Sequence, residues 1–359
     1  MPLMGEPVIR EERWRAAAAI VIEKGIMGNK TETKFKNSSA KQTLNPPGPP
    51  GLPFIGNLHQ IPSDGILHKF LYKLSNKYGE IMYMKLGSVP IVVVSSPKLA
   101  KDVLKTYDHV FCSRPMSLGQ QKLSYNNLDI AFSPYNDYWR EVRKISTVHL
   151  FSSKKVQSFG PIHEDEISRL VAKISGFADT SREANVKEML TSFTSTLICR
   201  VAFGKRYEEE GYERQRFDGL LSEAQALLIS FFVSDYIPAF GWVDKLSRMM
   251  SGTDTSAATI IWTMTALMKA PNVMKKVQAE IRDLIGNKGK IDEDDLQKLP
   301  YLKAVINETF RLYTPNPILG RRTKERCTLE GYEIQPDTVV YVNAWAIARD
   351  PESRLLEKP

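Results

Sequence analysis

Residues 307–312 read Asn307-Glu-Thr-Phe-Arg-Leu312, and the pair inside them, Glu308 and Arg311, decides how the rest of the chain is read. The two stand three apart in a segment with helical spacing, so both project from one face and can pair. Exposed pairs of this kind are common and are worth only about 0.3 kcal/mol. The weight of this one comes from its neighbours in order along the chain. Before it stand Pro46-Pro-Gly-Pro-Pro-Gly51, Trp139-Arg-Glu-Val-Arg143 and Ser251-Gly-Thr-Asp-Thr-Ser256, and after it Asn343-Ala-Trp-Ala-Ile-Ala-Arg-Asp-Pro351.

Outward from that stretch the chain reads as helix-rich with a small strand component. Apolar residues recur at helical spacing over 65–78, 98–106, 137–149, 162–178, 186–203, 220–233, 256–268, 272–285 and 301–312. Residues 81–86 alternate and 90–94 are β-branched, with Gly87-Ser88 between them, which predicts a hairpin. Residues 328–342 read as short strands around a turn at 335–337, and 113–133 as irregular, closed by Pro134. Residues 38–53 read as a stiff linker, because the prolines fix φ and remove hydrogen-bond donors. Met82, Met84, Phe231, Phe232 and Trp262 are core candidates by residue type.

The 359 residues suffice for one large domain or two smaller ones. With 42% hydrophobic and 25% charged residues the balance is that of a globular protein. The net charge of +8 is scattered among acidic residues, without a long basic tract, so a solvated surface is favoured over a nucleic-acid groove. Three cysteines, Cys112, Cys199 and Cys327, form no CxxC pair, which argues against a disulfide framework. The best N-terminal apolar run, 16–22, is far short of the roughly 20 residues a membrane span needs. Three glutamates precede it, which suits no secretory signal.

Several residues could carry chemistry. Gly252 inside a helix costs about 1 kcal/mol relative to alanine, so it asks for a reason, such as a flat ligand close to the backbone. Thr255 can turn its hydroxyl onto a carbonyl one turn back and loosen the helix, with the Asp254 carboxylate beside it. Read alone, 251–256 also suits a helix N-terminus with Ser251 or Thr253 as cap. Trp139 and Arg143, four apart, can both donate to a carboxylate, or can simply line a solvated helix. Arg321 and Arg322 read as a basic pair on a loop.

In that order the five stretches resemble the cytochrome P450 family, of the plant microsomal kind, over about 44–351. The resemblance implies a mainly α fold with a small β component. It implies a haem-dependent monooxygenase that inserts one oxygen atom into a small apolar substrate. Electrons would come from NADPH through NADPH–cytochrome P450 reductase, at the endoplasmic reticulum membrane. By resemblance Asp254 and Thr255 deliver protons, Gly252 lets haem approach, and Trp139, Arg143 and Arg321 hold the haem propionates. Glu308 and Arg311 brace the pocket, and 113–130 forms a loop that varies with substrate.

The departures are also expectations. Residues 1–44 match no membrane anchor, which leaves a cytoplasmic location open, and 45–359 reads as a partial domain. The connection between Asp235 and Ser251 is shortened, and no Phe-x-x-Gly-x-Arg-x-Cys-x-Gly loop, the family's source of the iron-bound thiolate, occurs. The alternative is therefore a non-catalytic fragment that cannot hold haem through a thiolate. With the Glu308–Arg311 pair lacking a third member, such a chain is expected to fold poorly.

Overall fold

The computed structural model describes residues 45–62, 66–180, 183–207, 211–229, 232–245, 255–286 and 293–351. The longer helices are α1 (Leu67–Tyr78), α4 (Asp137–His149), α6 (Gly160–Asp179), α7 (Val186–Phe203), α8 (Tyr212–Ile229), α10 (Thr255–Lys269), α11 (Pro271–Ile285) and α12 (Pro300–Leu312). Shorter ones are α2 (Pro97–Lys101), α3 (Leu118–Leu123), α5 (Ser153–Gln157), α9 (Val233–Tyr236) and α13 (Ala344–Ile347). The strands are β1 (Ile81–Leu86), β2 (Val89–Val94), β3 (Leu319–Arg322), β4 (Cys327–Leu329), β5 (Tyr332–Ile334) and β6 (Val339–Val342). The fold is mainly α with a small β component, as the sequence predicts. The chain divides into two compact units, one of 1–115, 236–238 and 317–359, the other of 116–235 and 239–316.

The first unit is built on a four-stranded sheet in the order β1-β2-β6-β3. β1 and β2 form the antiparallel hairpin, with Ile81 opposite Val94 and Leu86 opposite Val89. β6 lies parallel to β2, and β3 antiparallel to β6. Both faces are covered, which is why β2 is an almost unbroken β-branched run rather than an alternating one. Val92, Val94, Val340 and Val342 pack with Leu99, Val103, Phe111 and the β4–β5 hairpin. Ile91, Val93, Met82 and Met84 pack on the other side with Leu71 of α1.

The proline-rich stretch is part of this unit rather than a bare spacer. The Tyr83 N–H donates to the Pro47 carbonyl at 2.9 Å. A Cβ on Gly48 would lie 1.8 Å from the Tyr83 carbonyl oxygen, so only glycine fits there. The Asn57 amide donates to the Pro49 and Pro50 carbonyls at 3.1 and 3.2 Å, while its Oδ1 accepts from the Lys85 N–H at 2.8 Å. Prolines keep their carbonyls, and here those carbonyls supply the docking.

The second unit is helical. α7 packs against α6 and α10, α10 against α11 and α12, and α3 against α8. A charged network ties it together: buried Glu166 of α6 accepts from Arg200 of α7 at 2.5 Å and from Arg206 at 2.9 Å. Buried Arg214 of α8 donates to Asp218 at 2.8 Å, to the Thr196 hydroxyl at 2.7 Å and to the Ser192 carbonyl at 3.2 Å. Buried charges need such complete pairing to persist.

Four expectations are corrected. Residues 113–133 are not wholly irregular, because α3 forms at 118–123 behind a capping box of Ser117 and Gln120. Arg321 and Arg322 lie on strand β3, not on a loop. α8 begins at Tyr212, eight residues before the apolar run that predicts it. Trp262 is 43% exposed and stacks on Tyr313 at 4.5 Å instead of filling a core.

Candidate functional site

Arg321 and Arg322 are neighbours on β3, so their side chains leave the sheet on opposite faces. Arg322 is engaged: its Nη2 pairs with Asp337 at 3.1 Å, and its Nε is buried without a partner. Arg321 has no carboxylate partner among the described residues. Its pKa is lowered from the ordinary arginine value, chiefly by burial and then by the charge of Arg114, though the group stays protonated at any usual pH.

Arg114 is the residue that sequence reasoning missed. The Arg322 N–H donates to the Ser113 carbonyl at 2.9 Å, and Pro115 sits against Gly320. Residues 113–115 therefore run along β3 and bring Arg114 beside Arg321. That approach pairs segments some 200 positions apart, and no local pattern at 113–115 encodes it. Two half-buried guanidinium groups that pair with no carboxylate among the described residues form a donor set suited to a carboxylate or another anion.

In the second unit Asn136 caps α4, accepting the Trp139 N–H at 2.8 Å, and so starts the helix that carries Trp139 and Arg143. The sequence predicts the indole N–H as a donor to a ligand, but it is already committed to the Ile130 carbonyl at 3.0 Å. The Arg143 guanidinium lies over the indole ring at 5.1 Å, a cation–π contact. A shallow groove of about 340 Å³ opens there, lined by Trp139, Arg140, Arg143, Lys144, Thr147 and Val148. Arg140 pairs with Asp137 and Lys144 with Glu141, whereas Arg143 pairs with no carboxylate among the described residues. Trp139 thus positions Arg143 through its ring.

Glu308 and Arg311 of α12 meet as the sequence predicts, through two parallel bonds, Nε to Oε2 at 2.6 Å and Nη2 to Oε1 at 2.5 Å. Arg311 is 20% exposed and Glu308 54%, so the acidic partner stands largely in water. Thr255 opens α10, and Gly252 and Asp254 lie outside the described residues. Phe232 is buried, and Phe231 lies outside the described residues.

None of the three cysteines is set up as a thiolate. Burial raises the thiol pKa of Cys112, Cys199 and Cys327. Cys199 is inside α7 and Cys327 inside β4, while Cys112, half-buried, donates to the His109 carbonyl at 3.0 Å. Iron-ligating thiolates need the opposite environment, an electropositive one with a lowered pKa. No cluster of metal-ligating side chains occurs among the described residues, and no described helix is long and apolar enough to cross a membrane.

Comparison with known proteins follows the same outline. The family model for Cytochrome P450 matches residues 46–248 and 243–353. A 6,7,8-trihydroxycoumarin synthase from Pastinaca sativa is 43% identical over 391 aligned positions, covering 88% of this chain and 78% of the relative. A 5-OH-xanthotoxin synthase from Ammi majus is 43% identical, covering 86% and 74%. Cytochrome P450 71B36 from Arabidopsis thaliana is 40% identical, covering 86% and 75%. The 391 positions of the first alignment take up about 316 residues of this chain (88% of 359), so about 75 face no residue here. The family match itself breaks at 243–248, inside the connection that the sequence predicts to be shortened.

Proposed function

The chain belongs to the cytochrome P450 family, and from that premise we propose that it is built for haem-dependent monooxygenation of a small, flat aromatic substrate of plant specialised metabolism. The family reaction is oxygen insertion with reductase-derived electrons, and the trihydroxycoumarin named for one relative suggests the substrate class. Haem supplies oxygen activation when a thiolate holds its iron. The observation that carries the reading is Arg321 beside Arg114, two half-buried guanidinium groups that pair with no carboxylate among the described residues. Such a cationic pair suits a haem propionate, and the family resemblance adds Trp139 and Arg143 as propionate residues. In this reading Gly252 leaves room for the macrocycle, Asp254 and Thr255 hold and pass protons, and Glu308 with Arg311 fixes α12.

The electron donor is NADPH–cytochrome P450 reductase, and the endoplasmic reticulum membrane is the site of action, both on family grounds. A second reading concerns the iron ligand. The three raised thiols favour haem retention through propionates without a thiolate from Cys112, Cys199 or Cys327. Titration of the 359-residue chain with hemin, followed by its absorption band, tests the donor set. Arg321→Ala and Arg143→Ala are each expected to weaken binding about tenfold, the loss of one charge-assisted pair. Arg322→Ala, which removes a residue already paired with Asp337, is expected to leave affinity unchanged. Equal affinity in all variants would remove the donor set from the account.

A further inference from the structure

The geometry points to Asp235 as the residue that sets how tightly α3 is held against α8 and α9, with docking firmest when its carboxyl group is neutral. The starting point is the N-terminus of α3. Its capping box satisfies two N–H groups: Gln120 N–H donates to the Ser117 hydroxyl, and Ser117 N–H to the Gln120 side chain, both at 3.2 Å. The first helical N–H, that of Leu118, has no partner within the helix. It donates instead to Oδ1 of Asp235, in α9, at 2.8 Å.

Two further contacts join the same elements. Gly119 is buried so closely on α8 that a Cβ there would lie 2.1 Å from the Leu227 carbonyl oxygen. The Lys122 ammonium sits 5.3 Å from the centre of the buried Phe232 ring, at the start of the α9 segment. α3 is therefore fastened at its first, second and fifth residues, and Asp235 is the acidic member of these fastenings.

The environment of Asp235 disfavours its charge. It is half-buried and pairs with no lysine or arginine among the described residues. The charged group that acts on it is another carboxylate, Asp244, which accepts the Val233 and Ser234 N–H groups at 2.7 and 2.9 Å and so caps α9 from the other side. From α3 comes only the Leu118 N–H, which favours the ionised form, while the Lys122 charge is turned to Phe232. No charged residue of α8 is among the groups that act on it. Burial first, and Asp244 after it, raise the Asp235 pKa above its ordinary 3.8.

A group with a raised folded pKa contributes stability that is full below the unfolded value and is lost as pH rises through the folded one. A neutral carboxyl group still accepts the Leu118 N–H but carries neither the desolvation penalty nor the repulsion from Asp244. Acid therefore tightens α3, and neutral pH loosens it. α3 lies within 113–130, the segment for which the family resemblance implies variation with substrate.

Hydrogen exchange of the 359-residue chain, read by mass spectrometry on peptides covering 116–125 and corrected for intrinsic rates, tests this from pH 7 down to the ordinary carboxyl value of 3.8. Wild-type protection of α3 is expected to rise as pH falls, while α7 shows no such slope. Asp235→Asn, a permanent neutral mimic, is expected to exchange about threefold or more slowly than wild type at pH 7 and to converge with it as pH falls towards the ordinary carboxyl value of 3.8. Asp235→Ala, which removes the acceptor, is expected to lose protection at every pH. Exchange in Asp235→Asn as fast as wild type or faster at pH 7 would overturn the proposal. If that variant does not fold, a wild-type α3 without a pH slope of its own overturns it equally.

Discussion

At the scale of single residues, partners decide role more than spacing does. Trp139 and Arg143 sit four apart as the sequence shows, yet Trp139 spends its N–H on the Ile130 carbonyl and lends Arg143 only its ring. Arg321 and Arg322 are indistinguishable in sequence, and the strand places them on opposite faces, one paired with Asp337 and one beside Arg114. His68 gives a separate, checkable case. It packs against Trp345 at 5.2 Å, and its backbone carbonyl accepts the Asn343 amide at 2.9 Å. Its pKa is lowered from 6.5, by burial first and then by Lys69 and Arg349. A base with a lowered folded pKa binds fewer protons when folded, so its contribution is full above pH 6.5 and is lost as pH falls through the folded value. The thermal midpoint is expected to drop between pH 7 and 5.5, and His68→Gln to flatten that drop. An unchanged slope in His68→Gln would assign the acid sensitivity to other groups.

At the scale of elements, close approach matters more than propensity. Gly119 has room for no side chain against Leu227, so Gly119→Ala must push α3 away from α8. The expected loss is about 1–3 kcal/mol, as for other overpacked sites, visible as a lower denaturant midpoint with protection lost first around 118–123. The same elements show what the sequence discloses. Helices α4 and α7 match their predicted spans end for end, and α1, α10, α11 and α12 fall within two residues, because each shows a clear apolar period. The β1–β2 hairpin is equally plain, with β-branched residues on either side of a glycine turn. α3 escapes notice because six residues offer no period, and its signal is the Ser117–Gln120 capping box. β3 escapes because Leu-Gly-Arg-Arg is no strand by propensity and exists only through pairing with β6. In the candidate site, Glu308 with Arg311 was legible because both lie on one helix. Arg114 was not, since it reaches Arg321 through chain folding alone.

At the scale of the whole molecule, the two units differ in how completely they bury their apolar surface. The sheet unit covers both faces of β2, with Ile91, Val92, Val93 and Val94 at most 1% exposed. In the helical unit Ile167, Val171 and Ile174 form a stripe along α6 and are each more than 40% exposed, as are Ile145 and Val148 on α4. Stripes of this kind expect a covering partner. The isolated chain is therefore expected to show high helix content by circular dichroism, a broad thermal transition and strong binding of a hydrophobic dye. A sharp, cooperative transition without dye binding would show that these faces are covered in solution.

The family implies haem chemistry, and in this chain Arg321 and Arg114 pair with no carboxylate among the described residues while burial raises all three thiols. The most direct test is the absorption spectrum of the purified 359-residue chain, loaded with haem, reduced and exposed to carbon monoxide. The reading in which none of these three thiols ligates iron predicts a Soret band of non-thiolate type that weakens in Arg321→Ala. A thiolate-type band would mean that Cys112, Cys199 or Cys327 ligates the iron, and would contradict it.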